Sequence, residues 1–292
     1  ALSNQEMVAD LVLYDIDAVK VAAEAVDLSH GAALGGLPRI SGSDDLHTTE
    51  ESDVVVMTAG ANRSPGQSRL ELAAHNAQLV SSIAGSALEL SPRAILIVVT
   101  NPCDVLATVL SRELDVPPSQ IISSGTLLDS ARLRSALARR FGVSPAYIDV
   151  VVTGEHGDSQ VPIWSTATIG GVPIGEVRDT DGRSVSLTEL DEIAQQTKDA
   201  GRLVIEGKGV TNFGIGQSVA WITRSILRDG RSVLPVGTLI DGWTRSEVVM
   251  SVPSVVGKQG AVPVPGWKPS QLETERLRAS AQAIAEVVES LN

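Results

Sequence analysis

Four times in its first half the chain repeats one pattern: a short apolar, β-prone run stops at polar or glycine residues, and a stretch with helical spacing follows. The runs are residues 8–16, ending in Asp15-Ile16-Asp17; 53–59, meeting Gly60; 94–100, meeting Asn101-Pro102; and 120–124, meeting Gly125-Thr126. After the first, Val19, Ala22, Ala23 and Val26 fall at i, i+3, i+4 and i+7, before Gly31, Gly35, Gly36 and Pro38 break the chain. Residues 70–90 and 104–114 are the next helical stretches. Strand and helix in strict alternation predict a parallel sheet covered on both faces, because a parallel connection needs a crossover and the crossover helices bury the strands.

Sheets of this kind bind ligands beyond the carboxyl ends of their strands, where Asp15, Gly60, Asn101 and Gly125 gather. An acidic residue at a strand end can accept hydrogen bonds from a ribose 2′-hydroxyl and disfavour a 2′-phosphate, which suits Asp15; a turn or cap aspartate is the other reading of the same residue. After Gly125 the character changes, so the boundary is placed there, giving units 1–125 and 126–292. Residues 127–141 read as a helix with Leu133, Leu137 and Phe141 on one face and Asp129 and Arg132 at i, i+3. An apolar strand, 148–152, leads into Thr153-Gly154-Glu155-His156-Gly157-Asp158-Ser159-Gln160-Val161-Pro162. His156 then sits where the backbone turns at two glycines and can shuttle a proton near neutral pH, although a lone histidine in such a place is more often structural. Strand material at 161–172, a turn at Gly170-Gly171, a hairpin-like loop at 179–183, helices at 187–208 and 216–228, a β-rich section to about 264 and an acidic amphipathic helix at 271–291 complete the reading.

The formal net charge of -12 argues against nucleic acid or an anionic membrane as partner, so any anionic ligand must be met by local cations. Cys103 is the single cysteine and no Cys/His cluster has ligand spacing, so we expect no metal site and a reducing compartment. With no signal-like start and no run of about 18 apolar residues, a cytoplasmic, soluble protein is expected.

Thr58-Ala59-Gly60, Thr100-Asn101-Pro102, Leu128-Asp129-Ser130-Ala131-Arg132, Gly154-Glu155-His156-Gly157-Asp158 and Lys208-Gly209-Val210-Thr211 resemble, in order and spacing, the NAD-dependent L-lactate and malate dehydrogenase family. The resemblance spans essentially the whole chain and implies a Rossmann-type doubly wound parallel sheet with an α+β catalytic domain, NAD as cofactor, and a small 2-hydroxy or 2-oxo acid as substrate. Family members open with a strand and a G-x-G-x-x-G loop that holds the cofactor pyrophosphate; this chain has neither, and residues 1–8 look like the tail of the helix that follows that loop, so a preceding segment is expected. By resemblance Asp15, Thr58, Ala59, Gly60, Asn76 and Asn101 contact NAD, His156 is the base, Asp129 orients it, and Arg132 grips the substrate C1 carboxylate with a fork that lysine cannot copy. Arg69, in a loop spanning 61–70, matches the mobile arginine that polarises the carbonyl, Asn101 matches a partner of the reacting oxygen, and Thr211 lines the pocket.

Arg63, six residues before Arg69, bears on the substrate. Lactate-type members carry glutamine there and malate-type members arginine, and a guanidinium in a closed site suits the second carboxylate of oxaloacetate. That residue puts malate first and lactate second. The stretches Asp27-Leu28-Ser29-His30-Gly31 and Gly209-Val210-Thr211 have the flavour of the lactate branch and its lactate-like malate relatives. Arg134 matches one half of a sugar-bisphosphate site, but Asp149 stands at the other half and would repel the ligand, so no activation by fructose 1,6-bisphosphate is expected. A homodimer or homotetramer is the family default. A non-catalytic dinucleotide-binding relative is the competing reading, favoured only by the missing glycine loop; a metal-dependent hydrolase built on Glu155, His156 and Asp158 is weaker, since no second histidine stands at helical spacing.

Overall fold

The computed structural model describes residues 1–35, 38–61, 69–179 and 181–291, without the side chains of Arg69 and Leu70. Its first half runs β1 (Asp10–Tyr14), α1 (Ala18–Gly35), β2 (Arg39–Ser43), β3 (Val54–Met57), α2 (Arg69–Leu90), β4 (Ile95–Val98), α3 (Cys103–Glu113) and β5 (Ile121–Ser123), with only a short 3-10 turn between β2 and β3. The second half holds α4 (Leu127–Phe141), five two-residue strands, α5 (Leu187–Lys208), α6 (Phe213–Leu227), the antiparallel strands β11 (Ser232–Ile240), β12 (Val248–Gly257) and β13 (Gly260–Pro263), and α7 (Gln271–Glu289). The short strands are β6 (Ile148–Asp149), β7 (Val152–Thr153), β8 (Val161–Pro162), β9 (Thr168–Ile169) and β10 (Val172–Pro173).

The main sheet has the order β13-β12-β11-β5-β4-β3, with β3, β4 and β5 parallel. Alternation along β4 explains its unbroken apolar run: Leu96 and Val98 face α2 and α3 (Val80, Ala84, Leu106, Leu110), while Ile95 and Ile97 face α6 (Ile222, Ile226). The β-rich section after α6 joins this sheet, because β5 pairs antiparallel with β11 at Gly237↔Ser123. β1 and β2 form a separate parallel pair. A further core lies behind α4, where Leu133, Leu137 and Phe141 meet Ile148, Val150, Val152 and Leu190.

Three expectations need correcting. The strand at 148–152 is broken into β6 and β7, which pair with different partners, because the chain changes sheets on its way to the His156 turn. The stretch between Gly31 and Pro38 does not end the helix at its first glycine: α1 continues to Gly35, and β2 follows within a segment that has too little apolar alternation to signal a strand. The helical stripe Val19, Ala22, Ala23 and Val26 exists but faces outward; α1 buries Val21 and Ala25 instead. The loop at 179–183 does turn back on itself, with Asp179 N–H donating to the Arg183 carbonyl and a bridge between Arg178 and Ser184.

Candidate active site

Gly125 sets the direction of α4. Its φ of +51° is a left-handed conformation, and a Cβ there would lie 2.7 Å from the Gly237 amide nitrogen, so only glycine fits between β5 and the helix. Thr126 stands at the N-cap position of α4 and donates through Oγ1 to the Val152 carbonyl at 2.5 Å, while Ser130 Oγ accepts the Val152 N–H at 2.8 Å. The first turn of α4 is thereby fixed to the strand that ends just before His156. Asp129 lies inside that first turn, since Thr126 holds the cap position.

This arrangement joins three of the residues singled out in the sequence. His156 Nδ1 lies 2.6 Å from Asp129 Oδ2, and Arg132 donates to Asp129 Oδ1 at 3.0 Å. The Asp129 side chain is 4% exposed, whereas His156 and Arg132 keep 28% and 22% of their surface. A buried carboxylate thus backs two groups that remain reachable. Burial opposes the Asp129 charge, but attraction to His156 and Arg132 and their hydrogen bonds outweigh it and hold its pKa below the ordinary value. Burial pulls the His156 pKa down, yet Asp129, its hydrogen bond and Asp104 push harder, with Arg132 opposing, so the imidazolium is favoured.

Asp104, which the sequence marks only as the start of a helix, also reaches the His156 loop. It is 2% exposed, accepts Ser123 Oγ–H at 2.5 Å through Oδ1, and takes the backbone N–H of His156 at 2.6 Å through Oδ2. Burial lifts its pKa to about 6, with the Ser123 and His156 hydrogen bonds pulling the other way. The signal in the sequence was a carboxylate amid Cys103, Val105, Leu106 and Ala107, a helix turn otherwise without charge.

A second group of candidates meets at the carboxyl ends of β3 and β4. Asn76 is buried; its Oδ1 accepts the Ala61 N–H at 2.8 Å and its Nδ2 donates to the Asn101 carbonyl at 3.2 Å. Thr100 Oγ1 donates to the Ala59 carbonyl at 2.7 Å, and a Cβ on Gly60 would overlap the Thr100 methyl, so the backbone is bare there. Thr58, Gly60 and Asn101 are exposed, and the Asn101-Pro102 peptide is cis. Asn101 stands three residues before Asp104, which ties this group to the His156 loop. Asp15 follows β1 with an exposed carboxylate that accepts the Asp17 N–H at 3.1 Å and Lys20 Nζ at 3.4 Å. That hydrogen bond from Asp17 and the Lys20 charge hold its pKa low, against a small burial effect. Acidic Asp15 and the bare backbone at Gly60, both at strand ends, fit the polyhydroxylated parts of a dinucleotide.

Thr211 lies in the turn between α5 and α6, and α5 itself reaches the site, since a Cβ on Gly201 would be 3.6 Å from the Arg132 guanidinium. Arg63 lies outside the described residues. Arg69 begins α2 instead of ending a loop, and its side chain lies outside them too. Among the described residues no group of three metal-ligating side chains converges, and no helix is long and apolar enough to cross a membrane.

A parallel sheet with bare strand ends lies beside a histidine–aspartate pair and a reachable arginine, and two family-model matches mark the chain that carries them as an NAD-dependent 2-hydroxy acid dehydrogenase. Residues 1–123 match the family model described as lactate/malate dehydrogenase, NAD binding domain, and residues 126–291 match its alpha/beta C-terminal domain. The chain belongs to the lactate/malate dehydrogenase family. It is 38% identical to an L-lactate dehydrogenase of Bifidobacterium animalis subsp. lactis over 98% of this chain and 90% of that one. It is 40% identical to an L-lactate dehydrogenase of Kosmotoga olearia over 97% and 88%. Among solved structures, a lactate dehydrogenase enzyme from a Medee basin deep-sea metagenome library superposes with a TM-score of 0.92 at 33% identity, covering 99% of this chain and 93% of that one.

Proposed function

We propose that the protein interconverts an L-2-hydroxy acid and its 2-oxo acid, with pyruvate and lactate as the first reading. The observation that carries the chemistry is the single buried carboxylate of Asp129 shared between the His156 ring and Arg132. In the direction of reduction, His156 holds the proton that passes to the substrate carbonyl oxygen as it becomes a hydroxyl, and Asp129 fixes the ring and stabilises its charged form. Arg132 binds the C1 carboxylate, and Arg69 polarises the carbonyl from the start of α2. Asn101 bonds the reacting oxygen and Thr211 lines the pocket. NADH, when bound along Asp15, Thr58, Ala59, Gly60, Asn76 and Asn101, supplies the hydride.

The names of the relatives favour lactate. Arg63 favours a second reading, malate and oxaloacetate, because a guanidinium facing the methyl of pyruvate in a closed site leaves a charge unpaired, at about 2–5 kcal/mol. Steady-state NADH oxidation with pyruvate and oxaloacetate in parallel, for wild type and Arg63→Gln, decides between them. A pyruvate preference unaffected by the substitution supports the first reading; an oxaloacetate preference that collapses in Arg63→Gln replaces it with the second. Turnover of neither acid, with NADH bound, would instead support a non-catalytic relative.

The unit boundary is proposed at Gly125, and a homodimer or homotetramer in the cytoplasm as the working assembly. Val19, Val26 and Leu34 on α1, with Phe213 and Trp221 on α6, are large apolar side chains left exposed, which supports association through helices of both halves.

A further inference from the structure

Three consecutive residues at the His156 turn are held by three different elements. Gly154 exchanges both backbone hydrogen bonds with Ser251 on β12, at 2.9 and 3.1 Å. Glu155 donates its N–H to Ser280 Oγ on α7 at 2.8 Å. His156 donates its N–H to Asp104 on α3. The middle grip is part of a closed circuit: Ser280 Oγ lies 2.9 Å from Ser159 Oγ, and Ser159 Oγ–H donates to Glu155 Oε2 at 2.5 Å. Because Ser159 gives its one proton to the carboxylate, Ser280 gives its own to Ser159 while accepting the Glu155 N–H, so every donor and acceptor has one consistent assignment. The circuit leaves no room for slack. Ser280 is fully buried, and a Cβ on Gly154, whose φ is +84°, would sit 2.8 Å from Ser280 Oγ.

We propose that Ser280, together with Ser159 and the Glu155 carboxylate, is a positioning device that fixes the height of the His156 ring against the substrate from the far side of the loop. The proposal rests on the assignment of His156 as the acid–base group. Asp104 holds the Glu155–His156 peptide through its N–H and Asp129 holds the ring, but neither touches the Glu155 N–H of the peptide before, which is bonded to Ser280. Without the Ser280 hydroxyl, the Glu155 N–H faces the packed side of α7 with no acceptor, and the loop must shift to find one. Reacting atoms displaced by a fraction of an ångström react more slowly, while the carboxylate grip of Arg132 is untouched.

The test uses the full chain with Ser280→Ala, Ser159→Ala and Ser159→Thr. Single-turnover NADH oxidation in Ser280→Ala should slow about tenfold, with the KM for the 2-oxo acid changed less than about twofold. Ser159→Ala, at a half-buried site where folding is not at risk, should show a smaller loss of the same kind, and Ser159→Thr, which keeps the hydroxyl, should restore the rate. Hydrogen exchange at the Glu155 and His156 amides should quicken at least about tenfold in Ser280→Ala. Unchanged exchange and an unchanged single-turnover rate overturn the proposal. A rise in KM equal to the fall in rate also overturns it, as that marks a lost binding surface. The exchange measurement stands apart from turnover, so failure of the dehydrogenase reading would appear as an inactive wild type whatever the amides do.

Discussion

Replacing Asp129 by asparagine keeps the shape of the side chain and removes its charge. The carboxylate uses both oxygens, one toward His156 Nδ1 at 2.6 Å and one toward Arg132 at 3.0 Å. An amide can satisfy only one of them. With its oxygen toward His156, its NH₂ confronts the Arg132 donors; turned over, it donates to Nδ1 and forces the ring into the neutral tautomer that carries its proton on Nε2. The charge itself matters as much. Two unit charges about 4 Å apart at an effective dielectric of about 20 attract by about 4 kcal/mol, which partial exposure of the ring reduces to about 2. Adding about 1.5–3 kcal/mol for the lost charged hydrogen bond gives about 3.5–5 kcal/mol, or about 400- to 5,000-fold in kcat/KM for reduction of the 2-oxo acid. The sign of the pH effect follows. Asp129 raises the His156 pKa, so its loss lowers it, and the imidazolium needed for reduction disappears at a lower pH. Steady-state rates measured from about pH 5 to about pH 9 should show the alkaline limb moving toward acid. A loss under about fivefold with an unmoved limb would refute the coupling of Asp129 to His156.

Other outcomes follow from the same geometry. Asp104 titrates near pH 6 in the fold against an ordinary 3.8, so its protonated form stabilises the native state fully below the unfolded value and that stability is lost as pH rises through the folded one. Denaturant unfolding should show wild type losing about 3 kcal/mol relative to Asp104→Asn between about pH 4 and about pH 7; a constant difference would count against a buried, strained charge. Gly237→Ala places a Cβ onto Ser123 Oγ and 2.8 Å from Asp104 Oδ1, so calorimetry should show a lower Tm, with about 1–3 kcal/mol lost. Fructose 1,6-bisphosphate should leave kinetics unchanged, because Arg134 is half-buried with Nε on the Val150 carbonyl and the Asp149 charge faces it; a clear fall in apparent KM on adding it would show otherwise.

The strand ends were legible because burial on both faces forces unbroken apolar runs, and Gly60, Asn101 and Gly125 mark where each stops. The pairing of Asp129 with Arg132 was legible from helical spacing, and their convergence on His156 from the resemblance. Asp104 and Ser280 were not. Each acts through a backbone N–H of the His156 loop across more than 50 residues of chain, and no local spacing encodes such a contact. The outward face of α1 was hidden for the opposite reason: periodicity shows that a helix has an apolar stripe, but not whether that stripe meets its own core or another surface.

The assignment of His156 as the proton donor rests most directly on one comparison. Single-turnover reduction of pyruvate and of oxaloacetate at saturating NADH would be measured for wild type and His156→Gln, with NADH binding followed by fluorescence. We expect the variant to bind NADH within about twofold of wild type and to lose about 10²–10⁴ in rate with whichever acid the wild type reduces. A variant that still reduces that acid at close to the wild-type rate would contradict the assignment.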